Sequence, residues 1–173
     1  MIPTTVPTPD KVAWRLLRWE LAAASLGAAG IHFAVIVPHF NEYRPYGVFF
    51  LAVAWFQAVW AVLVVTTEDR RLLLLGLIVN AAVVAVWVWS RTAGLPIGPE
   101  AGVPEEIRAA DVISTGLEAS IVVWTTLLLA PVYWWREPSR RVVIGSAVLV
   151  WAVVIGLTAL AIVVEAEGNS AGH

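Results

Sequence analysis

Cysteine is absent from this chain of 173 residues, and its absence removes several kinds of chemistry at once. Without thiols the chain forms no disulfide and offers no thiolate ligand to zinc or to an iron–sulfur cluster. Histidine is scarce as well, with three residues in the chain, too few for the histidine-rich sites of membrane oxygenases and desaturases. The sequence also lacks a Gly-x-Ser-x-Gly elbow, a Walker loop and a dinucleotide-binding glycine pattern. No basic patch for nucleic acid is found, so no nucleic-acid partner is predicted.

Charged residues are the other scarce group. They make up 14% of the chain, whereas soluble domains have roughly a quarter. Hydrophobic residues make up 60%, and the mean hydropathy is +0.80. Apolar runs of about 20 residues recur along the whole length, which is the length that crosses a bilayer. The sequence therefore predicts an all-α integral membrane helical bundle whose first partner is the lipid bilayer.

The apolar runs predict five transmembrane helices, joined by short polar connections except for one long loop. The predicted spans are 16–37, 46–65, 72–89, 109–129 and 142–164. They form one bundle over 13–165, preceded by a flexible tail over 1–12 and followed by a polar tail over 166–173. A cleaved signal peptide is the competing interpretation of the first span, because LAAASLGAAG resembles a cleavage region. The apolar run continues to Val37, which favours a retained helix.

The basic residues predict the orientation of the bundle. If the N-terminus is inside, eight of the eleven Lys and Arg residues fall on the inner side. The outer side then holds only Arg44, Arg91 and Arg108. We therefore expect a multi-pass protein of the cytoplasmic membrane, with its N-terminus inside and its C-terminus outside.

Polar side chains recur at matching depths on two of the predicted spans. His32 and His39 are two helical turns apart near the outer end of the first span, about 10 Å apart in depth. Asp111 and Glu118 have the same spacing on the fourth span, and the topology places Glu118 at the depth of His32. An ionisable group within a span costs about 2.5–3.5 kcal/mol and normally faces the bundle interior with a partner. We therefore expect His32 and Glu118 to meet.

Proline makes the position of the second histidine less regular. Pro38 is expected to end or kink the first helix, since it has no N–H and restricts the residue before it. This would turn His39 away from the face that carries His32. The pair formed by His32 and Glu118 is therefore favoured over the pair of histidines.

These side chains match the ligand preferences of a transition metal. Two imidazoles with one or two carboxylates and no sulfur suit Zn(II), Fe(II), Mn(II) or Cu(II). We predict a metal site near the outer face, used for metal handling or a redox reaction, with the ligands His32, His39, Asp111 and Glu118. Gln57 and Asn80 are assigned to the same cofactor site, where they would orient the ligands. Haem held by both histidines is disfavoured because they share one helix face, and a haem with one histidine ligand is the lesser alternative.

Each of these groups also has a purely structural interpretation. Glu118 would be a protonated carboxyl bonded inside the bundle, and His32 a neutral hydrogen-bonded side chain. His39 would be solvated, and Asp111 would cap the fourth helix, where an acid favours the helix dipole. Amides within spans commonly hold helices together. The chain would then be an accessory subunit of a larger membrane complex, or a homo-oligomer. Passage of protons or ions through the bundle is a third alternative. An enzymatic role is left open.

The long loop after the third span carries the stretch SRTAGLPIGP, which starts at Ser90. It resembles a motif, SRTxGLPxGP, of small multi-span bacterial membrane proteins whose activity is not established. These proteins also carry a histidine late in the first span and a glutamate after the loop, here His32 and Glu118. The resemblance covers the middle two-thirds of the chain and implies a multi-span bundle, but no activity.

The composition of this loop limits its conformation. Its glycines and prolines favour tight, stiff turns. Such a segment suits a lid folded over the outer mouth of the bundle, and it suits a stiff connecting loop equally well. Arg91, just before it, is expected to reach lipid phosphate or to clamp Asp111.

Overall fold

The protein is an all-helical bundle in the parts of the chain that the structure describes. The computed structural model describes residues 11–130, 145, 148 and 151–163, with side chains from residue 14 onward. The helices are α1 Lys11–Glu42, α2 Arg44–Thr66, α3 Arg70–Thr92 and α4 Ala109–Leu129, followed by α5, described over Trp151–Val163. Within these ranges no residue belongs to a strand. The predicted all-α class is confirmed.

Four of the helices, α1 to α4, are long and apolar enough to cross a membrane. The predicted span over 109–129 has the bounds of α4, and the predicted spans over 46–65 and 72–89 differ from α2 and α3 by one to three residues at each end. The predicted fifth span is described in part, as α5 and the helical residues 145 and 148. The predicted tail over 1–12 lies outside the described residues except for its last two, which belong to α1, and the tail over 166–173 lies wholly outside them. The orientation in the membrane stays a prediction.

The first helix does not end at its proline. α1 runs through Pro38 to Glu42, so the expectation that His39 leaves the helix at this point is wrong. Proline removes one backbone hydrogen bond and crowds the preceding turn. In the same turn the ring of His39 also bonds the backbone, since its Nδ1 lies 2.7 Å from the carbonyl oxygen of Val35 and donates to it.

α1 lies at the centre of the bundle. In its most apolar window 61% of the residues are buried, against 22–33% in the other three long helices. The small residues of LAAASLGAAG allow this close packing. A side chain at Gly27 would lie 2.7 Å from the hydroxyl of Thr158 on α5. α1 packs along α2 and against α4, α4 packs against α3, and α2 and α3 approach each other little.

The two ends of the bundle have different chemistry. The loop over 93–108 lies at one end, which we name the loop end. At the opposite end two arginines bind the last carbonyls of neighbouring helices: Arg18 Nη1 lies 3.0 Å from Val64 O on α2, and Arg70 Nη2 lies 3.0 Å from Leu129 O on α4. Cations favour helix C-termini because free carbonyls and the helix dipole attract them.

Candidate functional site

A histidine and a glutamate meet in the interior of the bundle. His32 Nε2 on α1 lies 2.7 Å from Glu118 Oε1 on α4. Both residues are buried, with 4% and 1% of their surfaces exposed. The contact that the sequence predicted from equal depth is therefore present in the structure. Its placement brings two ionisable groups together where neither is solvated.

Two amides extend this pair across the other helices. Gln57 Nε2 on α2 donates to Glu118 Oε1 at 2.9 Å and to Asn80 Oδ1 on α3 at 3.2 Å. Asn80 Nδ2 in turn donates to the carbonyl oxygen of Gly76 at 2.8 Å. His32, Glu118, Gln57 and Asn80 thus form a continuous polar chain with one member on each of the four long helices. Both amides are fully buried; Gln57 bonds Glu118 directly, Asn80 reaches it through Gln57, and their assignment to a cofactor site stays a prediction.

The hydrogen bonds limit where the protons lie. Because Gln57 donates to Glu118 Oε1, that oxygen acts as an acceptor on one side and faces His32 Nε2 on the other. Either Glu118 is ionised and Nε2 carries the hydrogen, or Glu118 is protonated and donates to a bare Nε2. In both cases one proton lies between the two residues. Among the described residues, the other ring nitrogen of His32, Nδ1, has no hydrogen-bond partner.

The pair borders a cavity of about 340 Å³ at the loop end. His32 and Glu118 contribute its polar floor. Its walls are mainly apolar and aromatic, and they come from α2 and α3: Phe49, Phe50, Val83, Val86 and Trp87. Apolar pockets with a few placed polar groups are the usual form of small-molecule sites.

Phe50 was not expected at the site, yet it contacts both histidines. Its ring centroid lies 5.4 Å from that of His32 and 4.0 Å from that of His39. The two imidazoles are therefore packed against one phenyl ring along the cavity wall. The sequence holds a signal for it, because Phe50 precedes Gln57 by seven residues and so lies on the same face of α2.

The loop over 93–108 covers the cavity. Its residues Leu95, Pro96 and Ile97 line the cavity wall, and the hydroxyl of Tyr46 donates to Ile97 O at 2.6 Å. Gly98 has φ +100°, and a Cβ there would collide with the Tyr46 hydroxyl, so glycine is required at this turn. The placement matches the lid that the loop composition suggested.

Arg91 joins the loop to two helices. At the end of α3, it forms ion pairs with Glu105 of the loop and Asp111 of α4. Its guanidinium also donates to Ser90 Oγ at 2.7 Å and lies 5.7 Å from the Trp87 ring. Of the two expectations for Arg91, the clamp on Asp111 is the one observed.

The four predicted metal ligands border one cavity but have different partners. Asp111 is paired with Arg91 and also accepts from the backbone N–H of Arg108 at 3.3 Å, which is the capping role expected for it. His39 donates to the backbone, and His32 and Glu118 bind each other. In the described part of the chain, no three His, Asp or Glu side chains lie close enough to hold a metal ion. Metal binding by these residues stays a prediction.

Comparisons with protein-family models, with curated proteins and with solved structures found no match for this chain. The resemblance of the SRTAGLPIGP loop to bacterial multi-span proteins therefore stays a prediction. The cavity and the polar chain that borders it through His32 and Glu118 are the features that point to a function.

Proposed function

We propose that the protein binds a small, mainly apolar molecule in the loop-end cavity and exchanges a proton with that molecule through His32. The observation that carries this proposal is the placement of the buried His32–Glu118 pair at the floor of an apolar, aromatic cavity. Burying two ionisable groups in a membrane bundle is costly, and such groups usually serve a function. The predicted orientation would place this cavity toward the outer face of the cytoplasmic membrane.

The pair has the parts of a proton relay. A carboxyl group that bonds one nitrogen of a histidine fixes the orientation of the ring, which leaves the other nitrogen to act on a ligand. Starting from a neutral His32 with its hydrogen on Nδ1 and a protonated Glu118, His32 gives the Nδ1 proton to a basic group of the ligand, and Glu118 passes its own proton to Nε2 and becomes ionised. Gln57 then stabilises the carboxylate, since it already donates to Glu118 Oε1. The reverse sequence takes a proton from an acidic ligand.

The size of the cavity limits the ligand. A volume of about 340 Å³ is near the lower end of the range of small-molecule pockets, which is about 300–1,000 Å³. Aromatic walls favour a flat ring, because rings stack or meet edge to face. A single substituted ring with one hydroxyl or carbonyl group fits this description.

Binding of such rings gives a direct test. Wild-type protein in lipid nanodiscs is titrated with a panel of uncharged substituted phenols and benzoquinones, and binding is measured calorimetrically. We expect at least one compound to bind. Replacement His32→Gln should weaken that binding about tenfold or more, since a lost hydrogen bond to an ionisable group amounts to about 1.5–3 kcal/mol.

Ser120→Ala is the matched control, because Ser120 is on α4 near Glu118 but its hydroxyl bonds only the Leu117 carbonyl, at 2.6 Å. Its affinity should equal that of the wild type. The proposal is wrong if no compound of the panel binds, or if His32→Gln binds as tightly as the wild type.

Metal binding is the second candidate, and the orientation of His39 favours it. A carbonyl only accepts hydrogen bonds, so the bond to Val35 O requires a hydrogen on His39 Nδ1. In the neutral ring Nε2 then has a free lone pair, and His39 is among the residues that line the cavity. Metal-binding histidines commonly bond a backbone carbonyl through the other nitrogen in this way. Water or ligand atoms would complete the coordination.

Metal analysis of the purified protein tests this second function. We expect a stoichiometric transition metal in the wild type and a clear loss of metal in His32→Ala and Glu118→Ala. Ser120→Ala should keep its metal. A wild type without metal, or unchanged metal content in both site variants, would rule the metal function out. The accessory-subunit and ion-pathway alternatives stay predictions.

A further inference from the structure

We infer that the ligand is an uncharged molecule dissolved in the membrane, and that it reaches the cavity sideways between α2 and α3 at the loop end. This inference rests on the proposed binding function and adds the route and the chemical class of the ligand. Four observations support it: the separation of α2 from α3, the closed loop end, a charged wall toward a second cavity, and an apolar outer surface along the seam between the two helices.

α2 and α3 contact each other toward the end opposite the loop. Trp60 Nε1 donates to Leu72 O at 2.9 Å, and Gly76 lies directly against the Trp60 indole. The bond between Gln57 and Asn80 is the side-chain hydrogen bond between these two helices that lies nearest to the loop end, in the described part of the chain. On the loop side of this bond both helices line the cavity, and over their whole length α2 and α3 approach each other little.

The loop end of the cavity is closed by several bonds. Besides the bond from Tyr46 to Ile97, the backbone N–H of Glu105 donates to Ser90 O at 3.0 Å. The ion pairs of Arg91 with Glu105 and Asp111 add a third connection. A molecule that enters from water on this side has to break these bonds.

A second cavity, of about 560 Å³, lies on the other side of this cluster. The two cavities share His39, Arg91, Glu105 and Asp111 as lining residues. The second cavity is lined by further carboxylates, Glu42, Glu100 and Glu106. An acidic, polar space favours water and cations over an apolar ring. The charged residues between the two cavities therefore separate a wet space from a dry one.

The outer surface of the seam is apolar. Trp89 lines the cavity and is nevertheless 50% exposed, which places it at the edge of an opening. Further along the same two helices, Trp55, Val59 and Leu75 line an apolar groove, and all three are among the exposed large hydrophobic residues. In a chain with membrane-spanning helices such a surface faces lipid. The opening between α2 and α3 therefore leads into hydrocarbon.

This route selects the chemistry of the ligand. A charged molecule does not leave water for hydrocarbon without a large cost, whereas an uncharged ring with one hydroxyl or carbonyl group does so readily. Inside the cavity the same molecule finds aromatic walls and the hydrogen-bonding floor at His32 and Glu118. Uncharged, lipid-soluble phenols and quinones have these properties.

The absence of cysteine makes the route measurable. Val83 lines the cavity and is 7% exposed, so Val83→Cys places a single thiol inside it. The variant in lipid vesicles is treated with one of two thiol reagents. Uncharged N-phenylmaleimide dissolves in lipid, whereas a methanethiosulfonate that carries a charged sulfonate group does not. We expect the maleimide to label position 83. The charged reagent should label position 83 at least about tenfold more slowly than it labels an exposed thiol. A tenfold difference in rate corresponds to an added barrier of about 1.4 kcal/mol.

Two other positions calibrate the reagents. Ile107→Cys, in the loop and 65% exposed, should react with both. Ile78→Cys, on α3 and 63% exposed, should react with the maleimide alone, because it faces lipid. These two variants show that each reagent is active and where each one reaches.

Narrowing the seam gives a second measurement. In the Val83→Cys background, Val86→Trp places a large ring at the opening and should slow maleimide labelling, whereas Val88→Trp, which is on the same helix but not in the cavity lining, should not. Equal labelling of Val83→Cys by both reagents, no labelling by the maleimide, or equal rates in the two tryptophan variants would overturn the lateral route. None of these outcomes depends on phenol binding, so the route and the proposed function fail separately.

Discussion

Glu118→Ala is expected to lower the free energy of unfolding by about 3 kcal/mol, because it removes the shared acceptor of a buried hydrogen-bonded network of ionisable and polar groups. The change leaves His32 Nε2 and one donor of Gln57 without their acceptor in the bundle interior. Glu118→Gln keeps an oxygen that accepts both bonds and should cost less than about 1.5 kcal/mol. The measurement is unfolding by SDS titration in mixed micelles, followed by tryptophan fluorescence.

Two comparisons make this result decisive. Ser120→Ala on the same helix should stay within about 0.5 kcal/mol of the wild type, since most changes away from buried networks do. Glu118→Gln should nevertheless lose proton exchange with a bound phenol, because an amide does not release a proton near neutral pH. If Glu118→Ala unfolds at the wild-type SDS concentration, Glu118 does not hold the polar chain together.

Gly76→Ala is expected to destabilise the bundle by about 1–3 kcal/mol, the usual cost of overpacking a buried site. An added Cβ at this position meets the Trp60 indole, which is 1% exposed and packed in the hydrophobic core. Displacing the ring also stretches the bond from Trp60 Nε1 to Leu72 O. The same SDS titration measures the loss.

Gly116→Ala is the matched substitution, and we expect it to change the stability of the bundle in the opposite direction. Gly116 on α4 has no neighbouring atoms within reach of a new Cβ, and alanine favours helix by about 1 kcal/mol over glycine. This variant should therefore equal or exceed the wild type in stability. Equal stabilities of Gly76→Ala and Gly116→Ala would show that the packing of α3 against Trp60 does not matter for stability.

The helices could be predicted from the sequence because the membrane limits what an apolar run of this length can form. The contact between His32 and Glu118 could also be predicted, since two costly ionisable groups at one depth are expected to face the interior together. The depth of each residue in the membrane then follows from its position along the helix. Gln57 and Asn80 are therefore expected near the pair.

The features that the sequence did not predict have a common cause, because each of them depends on contacts between specific side chains. The helix continues past Pro38, and a side-chain bond from His39 to Val35 O lies in the turn before it, which no helix propensity includes. Phe50 reaches both histidines because of the rotation of α2 against α1. Arg91 had a lipid phosphate and Asp111 as competing partners, and only the path of the loop brings Glu105 and Asp111 to it together.

The polar chain has a consequence for how the protein is made. Its members are His32, Gln57, Asn80 and Glu118, one from each of the four long helices, so they enter the bilayer at different times during synthesis. Until α4 is inserted, His32 and Gln57 lack the Glu118 oxygen that both of them bond, so the bundle interior holds polar groups without their partner in lipid. The contact between His32 and Glu118 that forms the floor of the cavity therefore becomes possible only when the last of the four long helices is in place.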